Sequence, residues 1–351
     1  MKNNNLYFNT PKEIKNILDN YIVGQEETKK IVSVSIYNHY KRILYNSDKN
    51  NDKKIDKSNI LIIGETGTGK TLIAKTIAKI LQVPFVMVDA TSFTEAGYVG
   101  EDIESILTRL LQNSKYNVNL TEKGIVYIDE FDKLSRKSKN PTITRDVSGE
   151  GVQQSLLKLL ENSIIYISPY IGRKHPEQEL IPINTENILF IVGGTFEGIN
   201  NIINKRMKNY NIGYNIKRKN NKIYKKNLLK NINTKDLQNY GIIPEIIGRL
   251  PIIITLEKLN KKYLKKILVN NFINQYIELL KIDNIFITIN NNVLNYIAKK
   301  SIKLKLGARG LRNICEKIFQ YISYEEINNY KDKKNINIDE KLIFKIFKKK
   351  I

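Results

Sequence analysis

Cysteine is nearly absent from this chain: Cys315 is the only one in 351 residues. A single thiol excludes an intrachain disulfide framework and a zinc site built on several cysteines, and it suits a reducing compartment. Histidine is almost as scarce, with only His39 and His175. No run of 18 apolar residues occurs, and Met1–Asn9 is polar, without the apolar core of a secretory leader. A secreted or membrane-spanning chain is therefore not expected, and a cytoplasmic one is. Positive charge, by contrast, is abundant: 58 Lys and Arg stand against 35 Asp and Glu, a formal net charge of +23. Such an excess raises the question of a nucleic-acid or membrane partner. The lysines are scattered rather than gathered on one periodic face, and they accompany Asn, Ile and Tyr, which share A/T-rich codons. We read the charge as compositional. It is dense only at Lys217–Lys226 and Lys348–Lys350, which read as an exposed loop and a tail.

The length suits one large domain and a smaller one, and 41% apolar residues suffice for a core. Residues 11–46 read as a helical lead-in broken at Gly24, and Lys49–Ser58 as a polar loop. Short apolar runs at Ile60–Ile63, Phe85–Val88, Ile125–Ile128 and Ile188–Val192 read as buried strands. Helical spacing over Leu72–Leu81 and Glu101–Gln112 separates the first three. Strands alternating with helices predict an α/β fold with a parallel sheet covered on both faces. Past Pro251 the pattern changes to a long helix over Glu257–Leu280, a strand at Ile285–Ile289, and helices around Val293–Lys300 and Ala308–Asn328. The expected division is a short tail (1–10), a large α/β domain (11–252), a small, mainly helical domain (253–345) and a basic tail (346–351). No internal repeat is evident.

The segment Gly64-Glu65-Thr66-Gly67-Thr68-Gly69-Lys70-Thr71 matches G-x-x-x-x-G-K-[ST]. It follows a predicted strand and opens a predicted helix at Leu72, the context that gives the motif its meaning. Glycines let backbone N–H groups approach phosphate oxygens, and the helix N-terminus adds a favourable dipole. In this reading Lys70 reaches the β- and γ-phosphates and the Thr71 hydroxyl is a ligand of Mg²⁺. The third strand ends in Asp129-Glu130. Asp129 would hold Mg²⁺, and Glu130 would orient and deprotonate the attacking water. Phosphoryl transfer also needs positive charge on the γ-phosphate. Arg249, in Ile247–Pro251, and Arg309, in Gly307–Gly310, are the candidates, and spacing alone leaves each equally readable as a surface ion pair. Thr195, after the fourth strand, reads either as a γ-phosphate sensor or as a helix cap. Gly97-Tyr98-Val99-Gly100 reads by itself as a turn with a buried tyrosine.

Taken together, these and several further motifs resemble the ClpX family of AAA+ unfoldases over about residues 11–330. The likeness is carried by Tyr21–Gln25, Asp89–Thr91, Thr94–Asp102, Thr144–Gln154, Arg173-Lys174-His175, Gly241–Leu250 and Gly307–Arg312. The resemblance implies an AAA+ P-loop NTPase large domain followed by a small helical lid, an ATPase using ATP and Mg²⁺, and a bacterial-type cytoplasmic homo-hexamer. It implies that Ile22 and Val23 lie on the adenine side. Arg249 would act on a neighbouring subunit's ATP, and Arg309 would be the sensor-2 arginine that couples ATP state to domain rotation. It assigns Tyr98 and Val99 to a first pore loop that grips any polypeptide through apolar contact. Arg145 falls in the second pore loop. Arg173, Lys174 and His175 place positive charge at the pore mouth, where a tagged substrate's carboxylate is drawn in. A metal-ligand role for His175 has no supporting cluster, and His39 reads as structural.

Three departures from the family pattern stand out. The family's N-terminal zinc domain with four cysteines has no counterpart, so no zinc is expected and selection of substrates through that domain is not available. Ile212-Gly213-Tyr214 stands where the family docks its ClpP-like peptidase through Ile-Gly-Phe, and the tyrosine hydroxyl must stay wet or find a partner. Thr195 stands where a small apolar residue is usual. The leading expectation is an ATP-dependent unfoldase that passes unfolded or tagged proteins to a peptidase. The related unfoldase HslU is set aside by the short span between Asp129-Glu130 and the fourth strand. A peptidase-independent remodeller and a nucleic-acid-stimulated motor are the alternatives, and neither a membrane nor a nucleic-acid partner is expected.

Overall fold

The computed structural model describes residues 10–48, 53–94, 101–135, 149–169, 179–209, 228–327 and 334–348. It divides into two compact units, one of residues 1–64 and 70–257, the other of 65–69 and 258–351.

The first unit opens with α1 (Pro11–Tyr21). Thr10 caps it by accepting from the Glu13 N–H, and Pro11 sits at its first position, where a missing N–H costs nothing. Gly24 (φ +75°) and Gln25 (φ +58°) turn the chain into α2 (Glu26–Ser47). Then follow β1 (Ile60–Ile63), α3 (Lys70–Leu81), β2 (Phe85–Asp89), α4 (Ser105–Asn113), the single turn α5 (Val118–Thr121) and β3 (Ile125–Asp129). Next come α6 (Glu150–Leu160), β4 (Ile164–Ile167), β5 (Ile181–Asn184), β6 (Leu189–Gly194) and α7 (Ile199–Asn209). The unit ends with α8 (Thr234–Tyr240), α9 (Pro244–Arg249) and β7 (Ile252–Thr255).

Five strands form one sheet in the order β2-β3-β6-β1-β7, and every pairing is parallel. Because side chains alternate along a strand, each strand feeds two cores. Leu61, Ile63, Val126, Ile128, Phe190 and Val192 face one layer with α4 and α6. Ile60, Ile62, Ile125, Tyr127, Leu189 and Ile191 face the other with α1, α2 and α3. The predicted parallel sheet covered on both faces is thus the observed one. Two features differ from expectation. β7 follows Pro251 directly and completes the sheet beside β1, although the proline reads as a boundary. β4 and β5 form a separate antiparallel pair that was not expected; Ile164-Ile165-Tyr166-Ile167 is an apolar run in the sequence, but Ile164 and Tyr166 are exposed.

In the second unit the predicted long helix is interrupted. Asn260 caps α10 (Lys261–Ile267), Leu268–Ile273 is a π-helical segment, and α11 (Asn274–Ile282) continues. β8 (Ile285–Ile289) pairs in parallel with β9 (Lys334–Ile338), and α12 (Asn291–Lys303), α13 (Gly307–Ile327) and α14 (Glu340–Lys348) complete a mainly helical unit. Cys315 is buried within α13, and burial pushes its thiol up to about 12, so it is chemically quiet. No helix among the described residues is long and apolar enough to cross a membrane.

Candidate nucleotide site

In an open parallel sheet, ligands gather at the strands' C-terminal ends, where loops leave and helix N-termini point inward. β1 ends at Ile63, β3 at Asp129 and β6 at Gly194, all neighbours in the sheet. The Gly64 N–H donates to the Gly194 carbonyl at 3.1 Å, so the turn after β1 is tied to the end of β6. Gly67 (φ +76°) and Gly69 (φ +108°) take left-handed conformations that a side chain disfavours. A Cβ on Gly69 would meet nothing within 4 Å, so its glycine serves backbone geometry, with open space in front. The Thr68 hydroxyl closes the loop onto the Glu65 carbonyl at 2.7 Å.

Helix α3 begins at Lys70, with no acidic residue in its first turn to compete for an anion. The Lys70 ammonium is buried and donates to the Gly64 carbonyl at 2.6 Å. Thr71 donates through Oγ1 to Asp129 Oδ2 at 3.1 Å. Asp129 Oδ1 accepts from the Tyr127 hydroxyl at 3.1 Å and from the Glu130 N–H at 3.0 Å. Glu130 is exposed and left-handed (φ +54°), a strained choice for a non-glycine residue. Hydroxyl and carboxylate oxygens 3.1 Å apart, beside a helix N-terminus, fit a hard cation such as Mg²⁺ carrying phosphates.

Thr195 N–H and Oγ1 both donate to Asp132, at 3.1 and 2.9 Å. Asp132 is 2% exposed, and the Thr195 hydroxyl proton is thereby committed to that carboxylate. The nearby Tyr240 hydroxyl is pushed up to about 12, by burial first and then by Asp132. Ile22 is buried, and its N–H closes α1 on the Leu18 carbonyl; Val23 follows it, half-buried, and Leu72 is exposed on α3. Behind them, Gln25 grips Glu257 at two points, its amide donating to the Glu257 carbonyl at 2.8 Å and accepting from the Glu257 N–H at 2.9 Å.

Arg249 ends α9 at the opposite, N-terminal end of the strands, just before β7, whose first residue Ile252 pairs with Ile60. The buried Asn59 amide donates to the Arg249 carbonyl at 3.0 Å and accepts from the Phe190 N–H at 3.3 Å. The Arg249 guanidinium meets Glu161 at 3.2 Å. Lys70, Thr71, Asp129, Glu130 and Thr195 are therefore brought to the C-terminal ends of the strands, and Arg249 is not. Arg309 lies in the second unit, exposed in the first turn of α13. Tyr98, Val99, Arg145, Arg173, Lys174, His175, Ile212, Gly213 and Tyr214 lie outside the described residues, as does Lys217–Lys226.

Sequence reasoning missed Tyr127, Asp132, Asn59 and Glu161. Only Tyr127 carried a local signal, standing two residues before Asp129 and so on the same face of β3. His39 is buried in α2, with Nε2 3.2 Å from the Asn187 carbonyl. Burial, and then the Arg42 charge, push its ring down to about 3.

Residues 55–253 match the AAA domain (Cdc48 subfamily), and residues 259–338 match the C-terminal, D2-small domain of ClpB protein. Relatives named ATP-dependent Clp protease ATP-binding subunit ClpX align along most of the chain. That of Bacteroides fragilis is 55% identical over 318 residues, covering 90% of this chain and 76% of its own. That of Porphyromonas gingivalis is 53% identical over 311 residues, covering 88% and 75%. That of Treponema denticola is 47% identical over 340 residues, covering 95% and 81%. With the phosphate loop, the parallel sheet and the helical second unit already in place, these likenesses make the chain a member of the ClpX family of AAA+ ATPases.

Proposed function

We propose that this protein is the ATP-hydrolysing subunit of a Clp-type protease, a cytoplasmic homo-hexameric ring that unfolds tagged proteins and passes them to a ClpP-like peptidase. The observation that carries the reading is the separation of Arg249 from Lys70, Thr71, Asp129 and Glu130 across the sheet. β1 alone spans four residues, so the two ends of the strands stand about 10 Å apart or more. An arginine so placed is free to serve a neighbour's nucleotide, and a head-to-tail interface of that kind forms a ring when its rotation closes.

In this reading Lys70 binds the β- and γ-phosphates, and Thr71 and Asp129 hold Mg²⁺. The backbone of Gly64–Gly69 surrounds the phosphates, and Ile22 and Val23 form the adenine side. Bound Mg²⁺ supplies charge neutralisation at the phosphates. Glu130 takes the proton of the attacking water, and Arg249 of the next subunit stabilises the charge that develops on the γ-phosphate. Arg309 serves as sensor 2. Thr195, its hydroxyl given to Asp132, acts on the turn after β3 rather than on the phosphate. Tyr98 and Val99 grip the substrate, Arg145 belongs to the second pore loop, and Arg173, Lys174 and His175 attract the tag. Ile212, Gly213 and Tyr214 dock the peptidase. ATP and Mg²⁺ are the cofactors, and no step calls for zinc.

The test is ATP-dependent degradation of a tagged folded protein with and without a ClpP-like peptidase, comparing wild type with Tyr98→Ala. The variant is expected to hydrolyse ATP and to lose unfolding. Unfolding at the wild-type rate would remove Tyr98 from the mechanism. Unfolding with no degradation when the peptidase is present would favour a free-standing remodeller.

A further inference from the structure

We propose that Tyr127 is a positioning residue for the nucleotide site: its buried hydroxyl orients the Asp129 carboxylate so that Oδ2 stays on the Thr71 side, where Mg²⁺ is held. The inference rests on the reading of Asp129 as the metal-side carboxylate.

Tyr127 is 0% exposed and lies in the apolar layer with Ile60, Ile62, Ile125 and Ile191. The neighbouring positions of that layer are filled by isoleucine, which carries no polar atom. A hydroxyl buried there has to be matched by an acceptor, and it finds Asp129 Oδ1 at 3.1 Å. The alternation of β3 makes this possible, because residues 127 and 129 point to the same face.

The partner strand is shaped around the same phenol. A Cβ on Gly193 would lie 2.2 Å from the Tyr127 hydroxyl oxygen and 2.8 Å from the ring carbon that bears it. Only glycine lets the ring lie across β6 and reach the end of β3. The Asp129 carboxylate is then divided between its donors. Oδ1 takes the Tyr127 hydroxyl and the Glu130 N–H, while Oδ2 takes the Thr71 hydroxyl on the side of α3. With Oδ1 held from within the core, rotation of the carboxylate about its own axis is opposed. The oxygen offered to the cation is always the same one. Partners of this kind, which hold a ligand rather than the metal, govern metal affinity.

Tyr127→Phe removes only the hydroxyl and keeps the ring against Gly193. Full-length wild type, Tyr127→Phe and Asp129→Asn are each titrated with Mg²⁺ in the presence of a fluorescent, slowly hydrolysed ATP analogue, reading bound nucleotide directly. The same analogue is also titrated in EDTA. Tyr127→Phe is expected to raise the Mg²⁺ midpoint by about 10-fold while binding in EDTA is unchanged, and Asp129→Asn to raise it at least as far. A wild-type midpoint for Tyr127→Phe, with Asp129→Asn shifted, overturns the role of Tyr127 alone. A wild-type midpoint for Asp129→Asn overturns the reading of Asp129 and the proposal with it. A loss for Tyr127→Phe of equal size in EDTA marks a packing defect and also overturns the proposal.

Discussion

Arg249 and Glu161 face each other at 3.2 Å at the end of the sheet away from the phosphate loop, and both side chains are about half exposed. An exposed pair of this kind contributes roughly 0–1 kcal/mol to stability. Glu161 is therefore a weak holder of the guanidinium, easily exchanged for a phosphate. Arg249→Ala should leave ATP binding intact and lower turnover by about 10³-fold or more. Its sharper test is mixing. Arg249→Ala subunits keep Glu130, and Glu130→Gln subunits keep Arg249, so co-assembled rings contain complete sites and should regain turnover. Mixtures as inactive as either variant alone would remove the trans assignment.

Glu130→Gln keeps the hydrogen-bonding shape and removes the base. Turnover should fall by about 10²–10⁴-fold with nucleotide affinity near wild type, measured by equilibrium binding beside steady-state hydrolysis. Wild-type turnover would end the assignment of Glu130 as the base.

Thr195→Val strips one donor from the buried Asp132 carboxylate while the backbone N–H remains. The expected result is a stability loss of about 1–3 kcal/mol by urea unfolding, with little change in nucleotide affinity. Unchanged stability with a large loss of hydrolysis would return Thr195 to a phosphate-sensing role.

His39 gives the fold an acid-sensitive point. Its pKa lies near 6.5 in the unfolded chain and is pushed down to about 3 when folded, so between those values the unfolded chain binds the extra proton. Stability therefore rises with pH through that window: it is fully present above about 6.5 and is lost progressively as pH falls toward 3. His39→Gln should show a flatter stability profile than wild type between pH 7 and pH 4. Parallel profiles would show that the ring is not the sensitive group.

The phosphate loop and Asp129-Glu130 were legible in the sequence because each is a contiguous motif on a strand-to-loop boundary. Four of the five sheet strands were legible as apolar runs, for the same reason that parallel strands are buried on both faces. β7 was not, because Pro251 reads as a stop, yet proline is tolerated just ahead of an edge strand. The partners that fix the site lay beyond reach. Asn59 and Arg249 are 190 residues apart and Arg249 and Glu161 are 88 apart, and no local pattern joins them. The partner of Thr195 was hidden for the same reason, since Asp132 lies 63 residues before it. A hydroxyl at the end of a strand looks available until the fold brings Asp132 beneath it.

The two-point grip of Gln25 on Glu257 also bears on how the chain tolerates shortening. Gln25 satisfies a backbone N–H and a backbone carbonyl of one residue with a single side chain, as an adjoining strand would. A truncation that began the chain at Glu26 would remove no part of the sheet and no phosphate ligand. It would nevertheless strip the Gln25 partner from both backbone groups of Glu257, the last residue of the first unit. The stretch ahead of α2 therefore behaves as a fastening at the far end of the domain, 232 residues downstream, and not as a dispensable leader to it.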